Sequence, residues 1–318
     1  MDRFAAIREV LARGPSETNW RELLTHLRAW PRKAQKEMAI QYIDAHLATW
    51  PDHLRALSEL ADSPYWRFIR CYELRSNIKK RTLKAKLEES PYMQQLTAFK
   101  WETGGQINSV LMTLLSSENC SHLKELRFKR CHIGYIHYGG SYYTTSQKHS
   151  LVEHFRWEEA GDDYNPWSLM LRLPSFDKLK TLYLSNAFDP SVHFSEFEEF
   201  AFRSTLEELS LENCLRNDFL EQLPEFSSLQ RLSLARNRWI QREDWAKFAD
   251  WPTLQQLSLF DLSETLIGVE QLFVLLKSPY SHERLLIDLR GTSITKEEVE
   301  KLLSELKGES VPMLRFDN

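Results

Sequence analysis

One short arrangement of apolar and polar positions recurs along the chain. "LKELRFKRCHI" (123–133), "LKTLYLSNAF" (179–188), "LEELSLENCLR" (206–216) and "LQRLSLARNRW" (229–239) follow L-x-x-L-x-L-x-x-N/C-x-L or nearly so. Period two places the fourth and sixth positions on one side of a short strand, so they predict a strand with its Leu pair in the core. Looser copies begin at Leu96, Val152, Leu254, Arg284 and Val311. With these the starts fall at 96, 123, 152, 179, 206, 229, 254, 284 and 311, in steps of 27, 29, 27, 27, 23, 25, 30 and 27 residues. Between them, apolar spacing predicts helices over 107–117, 195–204, 242–251, 268–278 and 295–308.

This pattern resembles the leucine-rich repeat family, and the lengths near 27 are most similar to the ribonuclease-inhibitor type. The resemblance implies an α/β solenoid: a horseshoe of about nine parallel strands with outer helices, spanning 93–318. The ninth position can bond the backbone of the turn leaving each strand. Cys131, Cys214 and Asn237 occupy it, and Thr292 can substitute. Ala187 and Leu262 offer no such side chain, so irregular turns are expected there.

Residues 1–92 read differently. Phe4, Ile7 and Leu11 share a helical face, as do Trp20, Leu23, Leu24 and Leu27, and then Ala39, Tyr42, Ile43, Leu47 and Trp50. Pro31, Pro51 and Pro64 punctuate them. The expectation is an all-α N-terminal cap or interaction domain, since a solenoid must cover its first core face.

Composition changes this picture little. The 318 residues are 42% hydrophobic and 27% charged with net charge −4, ordinary for a globular chain. No apolar run is long enough to span a bilayer, and the charged N-terminus lacks the apolar core of a signal peptide. The four cysteines show no CxxC spacing, which together with these points suggests reduced thiols and a cytoplasmic protein. G-x4-G-K-[ST], G-x-S-x-G and HExxH are all absent. Neither enzymatic activity, a cofactor, a metal nor a small-molecule substrate is therefore expected.

Binding is the expected role, as an adaptor, regulator or immunity-type protein that recognises a partner protein. The resemblance places the partner on the concave strand face, with Lys100, Arg127, Lys129, Arg156, Tyr183, Glu208, Glu212, Arg236 and Phe260 as contact residues. A second candidate surface is "HIGYIHYGGSYYTTSQKHS" (132–150), where three glycines disfavour a helix and Tyr135, Tyr138, Tyr142 and Tyr143 supply rigid contact area. The alternative role is nucleic-acid association through the basic segment 67–86, chiefly Arg70, Arg75, Lys79, Lys80, Arg81 and Lys84.

Overall fold

A computed structural model describes residues 3–29, 36–58, 67–74, 83, 85, 87, 91–102, 105–132, 151–160, 167–187, 194–215, 223–306 and 311–317. The tyrosine segment, apart from His132, lies outside the described residues, as do Arg75, Lys79, Lys80, Arg81 and Lys84. Eleven strands form one sheet in chain order: β1 (Ala56–Leu57), β2 (Cys71–Leu74), β3 (Ala98–Glu102), β4 (Glu125–Lys129), β5 (His154–Glu158), β6 (Thr181–Ser185), β7 (Glu208–Glu212), β8 (Arg231–Ser233), β9 (Leu259–Asp261), β10 (Leu286–Asp288) and β11 (Met313–Arg315). The sheet is parallel throughout, as a chain of repeated strand-and-return units requires. Seven α-helices accompany it among the described residues: α1 (Arg3–Ala12), α2 (Glu17–Arg28), α3 (Lys36–Leu47), α4 (Asn108–Ser116), α5 (Trp167–Leu171), α6 (Val269–Leu276) and α7 (Lys296–Glu305). The chain divides into two compact units, one holding the described residues of Met1–Thr103 and Ser109–Arg127, the other those of Gly104–Asn108, Phe128–Thr145 and Leu151–Asn318.

In the first unit the three expected helical stripes form α1, α2 and α3, with Ile7, Trp20, Leu23, Leu27, Ile43 and Leu47 buried. Ser16 caps α2 by accepting from the Asn19 amide at 3.1 Å. The expectation that 1–92 is all-helical needs correction, because β1 and β2 fall inside it. Ile69, Tyr72 and Leu74 repeat the L-x-x-L-x-L pattern 27 residues before Leu96, with Tyr72 and Leu74 fully buried. Trp20 then acts on this sheet directly. Its indole N–H donates to the Ala56 carbonyl at 2.7 Å, satisfying an acceptor of the first strand.

The second unit shows the repeat in its clearest form. Positions one, four and six are buried in successive strands: Val152, Phe155 and Trp157; Leu179, Leu182 and Leu184; Leu206, Leu209 and Leu211; Leu229, Leu232 and Leu234. The eighth position adopts left-handed backbone in Arg130, Glu159, Asn186, Asn213, Arg236, Glu264 and Gly291, with φ between 51° and 69°. The amides of Arg130, Asn186, Asn213, Arg236 and Glu264 each donate to the seventh-position carbonyl of the following repeat at 2.8–3.1 Å. That regularity corrects one repeat start. Leu259 pairs with Arg231, and Phe260 with Leu232, so the ninth strand's repeat begins at Leu257 rather than Leu254. The steps on either side become 28 and 27 residues, and Thr265 replaces Leu262 at the ninth position.

The turns are more regular than expected as a result. Thr265 donates to Leu262 O at 2.6 Å, Thr292 to Leu289 O at 2.7 Å and Asn237 to Leu234 O at 2.8 Å, the same ninth-to-sixth bond three times. At Ala187, whose side chain has no polar atom, the backbone N–H donates to the Cys214 sulfur of the next repeat at 3.4 Å. Asn186 keeps the common left-handed geometry there. Left-handed backbone costs an L-residue about 1–2 kcal/mol. Gly291 escapes that penalty at φ 69°, and an added Cβ would sit 2.8 Å from Glu264 Cγ. Gly291→Ala is therefore expected to destabilise by about 1 kcal/mol in chemical denaturation; an unchanged midpoint would contradict the assigned turn.

Two of the expected helices are instead 3-10 segments. Residues 195–204 form Phe194–Glu199 and Ala201–Ser204, and 242–251 form Arg242–Asp250 followed by Pro252–Gln256. The physical cause is a side-chain period of three. Trp245, Phe248 and Trp251, like Phe197 and Phe200, recur every third residue and are buried, so a 3-10 turn aligns them on one face. By contrast α6 buries Leu272, Leu275 and Leu276 and α7 buries Val299 and Leu302, with spacings of three and four. Aromatic contacts knit this side together. Ring centroids lie 6.0 Å apart for Phe197–Phe226, 6.3 Å for Phe226–Trp251, 5.4 Å for Trp251–Phe248 and 5.0 Å for Phe248–Phe260. Several indoles also serve the turns, with Trp157 donating to Cys131 O at 2.9 Å, Trp167 to Ala187 O at 3.0 Å and Trp251 to Pro224 O at 2.7 Å.

Candidate functional site: the strand face of the second unit

Because the fourth and sixth positions enter the core, the third, fifth and seventh positions of each strand share the opposite face. Register puts the fifth positions in a single row: Arg156, Tyr183, Ser210, Ser233, Asp261, Asp288 and Arg315. With the start moved from Leu254 to Leu257, the fifth position of this repeat is Asp261 rather than Ser258. Phe260 must be withdrawn as a contact residue, since it is fully buried and packs edge-on against Phe248. It occupies a core position, as Leu232 and Leu209 do in the strands before it.

The structure brings Arg156, Tyr183 and Glu212 together. The Arg156 guanidinium lies 3.9 Å from the Tyr183 ring centroid and pairs with the buried Glu158 carboxylate. The Tyr183 hydroxyl donates to Glu212. Burial, then the Glu212 hydrogen bond and charge, push the Tyr183 phenol up to about 12, against the opposing pull of Arg156. Tyr183 thus stays neutral at ordinary pH and its O–H is committed to the carboxylate. His154 bonds the Thr181 hydroxyl at 2.9 Å, and Arg231 pairs with Glu208 at 3.4 Å. The row is laced from strand to strand but remains open: Arg156, Glu208 and Arg231 are exposed, and Tyr183 and Glu212 are half-buried.

The other expected contact residues divide between this face, the turns and the first unit. Lys129 pairs with Glu159 at 3.2 Å. Arg236 sits on the turn after β8, where it binds Glu264 at 3.0 Å. In the first unit, Lys100 pairs with Glu125 at 3.5 Å, and Arg127 is half-buried on β4. Sequence reasoning missed Glu158, a seventh-position carboxylate visible once the strand is read two residues further. It also missed Arg290, which grips buried Asp288 at 2.6 Å while Arg315 approaches the same carboxylate at 3.3 Å.

Burial alone would raise the Asp288 carboxyl, but the Arg290 hydrogen bonds and the charges of Arg290 and Arg315 outweigh it and hold it below its ordinary value of 3.8. A depressed folded value gives stability that is present above the unfolded pKa and lost as pH falls through the folded one. Wild type should therefore lose more stability than Asp288→Asn between about pH 6 and about pH 3. Equal losses in urea titrations at the two pH values would contradict this.

The basic segment is engaged internally where it is described. Arg67 binds Asp44 at 2.9 Å, and Arg70 donates to Gln95 at 2.7 Å and to the carbonyls of Arg67 and Ile69. Nearby Arg55 is buried and donates to Phe68 O and Leu47 O; burial, helped by the like charge of Arg70, lowers it to about 10. All four cysteines are buried and none forms a disulfide. Burial drives Cys71, Cys120 and Cys214 up to about 12, so none of these three offers a thiolate near neutral pH. Among the described residues no group of three or more His, Cys, Asp or Glu side chains is placed to hold a metal ion. Nor is any described helix long and apolar enough to cross a membrane. No family model matches the chain, and no curated protein matches it in sequence.

Proposed function

We propose that this chain is a non-enzymatic interaction module of the leucine-rich repeat type that takes a partner protein on the strand face of β5–β8. The observation that carries this reading is the cluster Arg156–Tyr183–Glu212. It pairs a guanidinium, an aromatic ring and a carboxylate in fixed geometry, open to solvent. Aromatic and Arg side chains dominate binding energy at protein interfaces, and holding them in place before binding lowers the entropic cost of association. Four buried cysteines without a disulfide support a reducing compartment such as the cytoplasm. An adaptor or regulator fits these properties, and the arginines described in the basic segment are engaged internally, which weighs against a nucleic-acid role.

Affinity capture with the purified protein, with and without nuclease, tests the reading. Wild type is expected to retain a protein partner after nuclease treatment, and Arg156→Glu combined with Tyr183→Ala should lose at least about tenfold of the captured material. Both side chains are partly solvent-exposed, so the variant should keep its circular dichroism spectrum. Capture that vanishes with nuclease, or that survives the double substitution undiminished, would count against it.

A further inference from the structure

We propose that the turn edge after β8, centred on Trp239, is a docking surface for an acidic protein segment carrying an apolar side chain beside its carboxylates. The inference rests on the reading of the chain as a protein-interaction module and adds a second contact region with a defined chemistry. Trp239 is 68% exposed, whereas the other seven described tryptophans are at most 5% exposed. Leu266, on the equivalent turn of the next repeat, is 46% exposed. Large apolar side chains displayed together on a folded surface mark contact sites more often than chance.

The loop that displays the indole is anchored in the core. On one side of it in the chain Asn237 is fully buried, and on the other Ile240 is buried, so the loop is anchored at both flanks. Three arginines then lace the two turns together. Arg236 Nε donates to Glu264 Oε1 at 3.0 Å, Arg238 reaches Glu264 O and Oε2 at 3.3 Å each, and Arg242 Nε donates to Leu266 O at 3.2 Å. The loop that carries Trp239 is thereby anchored, with little backbone ordering left to a binding partner.

Charge selects the occupant. The turn stretch 236–242 contains three arginines and no carboxylate. Glu264 is shared between Arg236 and Arg238, and with exposed Glu243 it leaves the strip a positive balance. Guanidinium edges not used by Glu264 remain available to a partner's carboxylates, for which their planar donor array is matched. Arginine and tryptophan also suit single-stranded nucleic acid. The protein segment is favoured because a carboxylate, that of Glu264, already bridges two of these arginines.

Fluorescence anisotropy with a labelled short peptide of alternating Asp and Phe tests this, alongside the same peptide with Asn for Asp and with polyuridylate. Expected is saturable, salt-sensitive binding of the Asp–Phe peptide, weakened at least about tenfold by Trp239→Ala and by Arg238→Glu, and unchanged by Arg156→Glu. Weak or absent binding of the Asn peptide is part of the same expectation. No binding at millimolar peptide, equal binding to wild type and the turn variants, or binding of polyuridylate in place of the peptide overturns the proposal. Loss of the partner captured from lysate on Arg156→Glu, with the peptide indifferent to Trp239, would sink this surface while leaving the strand-face reading intact.

Discussion

Replacing Asn237 by alanine is expected to cost roughly 3–5 kcal/mol of stability. Its Oδ1 accepts from the amides of Cys214 and Leu215 at 3.0 and 2.9 Å, and its Nδ2 donates to the carbonyls of Leu211, Leu234 and Ala235 at 2.7–3.3 Å. The side chain is fully buried, so these bonds are made away from solvent. The variant takes the acceptor from two N–H groups and a donor from the Leu211 and Leu234 carbonyls, while Ala235 O keeps the Asn213 amide, and each group left unsatisfied costs about 1–3 kcal/mol. Asn237→Thr should recover part of the loss. Thr265 and Thr292 make the ninth-to-sixth bond in their own repeats but cannot bridge to the preceding one. Urea denaturation should rank wild type above Asn237→Thr and Asn237→Thr above Asn237→Ala. A change below about 1 kcal/mol for alanine would show that the bridge between repeats is not what holds this turn.

Phe260→Ala carries the second large effect, about 3–5 kcal/mol, with Leu259→Ala costing about 1 kcal/mol or less. Phe260 is fully buried against Phe248, while Leu259 is half-buried on the strand face. A one-residue slip in a strand exchanges core and surface for every side chain. The pair of substitutions therefore reads the register directly. If Leu259→Ala were the costlier change, the repeat start at Leu257 and the whole fifth-position row beyond β8 would be misplaced.

These two residues also mark how far the sequence reaches. The L-x-x-L-x-L copies at 123, 179, 206 and 229 are legible because apolar side chains, nearly all Leu, fill the core positions and period two leaves one reading. At "LQQLSLFDL" two readings compete, since Leu254, Leu257 and Leu259 imitate the pattern three residues early. Only the pairing with β8 decides for Leu257, Phe260 and Leu262. Strand β2 escapes a reading from sequence because Ile69, Tyr72 and Leu74 lie among arginines, whose charge suggests a surface. Arg67 and Arg70 turn out to bond Asp44, Gln95 and backbone carbonyls. The 3-10 segments read as helices because Trp245, Phe248 and Trp251 satisfy a helical period approximately, and only their strict spacing of three distinguishes the tighter turn.

At the strand face, alternation alone locates Arg156, Tyr183, Glu208 and Glu212. It cannot foresee that Arg156 stacks on Tyr183 or that Tyr183 donates to Glu212, because both contacts join strands 27–29 residues apart and depend on register. Trp239 escapes notice for a related reason. It stands at the eleventh position, where the repeat pattern carries a core Leu, so the pattern predicts a buried side chain and only the structure shows the indole exposed.

The most direct measurement of the binding role is hydroxyl-radical footprinting of the protein alone and with its captured partner, read by mass spectrometry residue by residue. Tyr183, half-buried in the free protein, should lose most of its reactivity in the complex, while fully buried Trp157 and Trp245 stay equally unreactive in both states. Unchanged oxidation of Tyr183, with protection confined to helices α6 and α7, would place the partner away from the strand face and contradict recognition there.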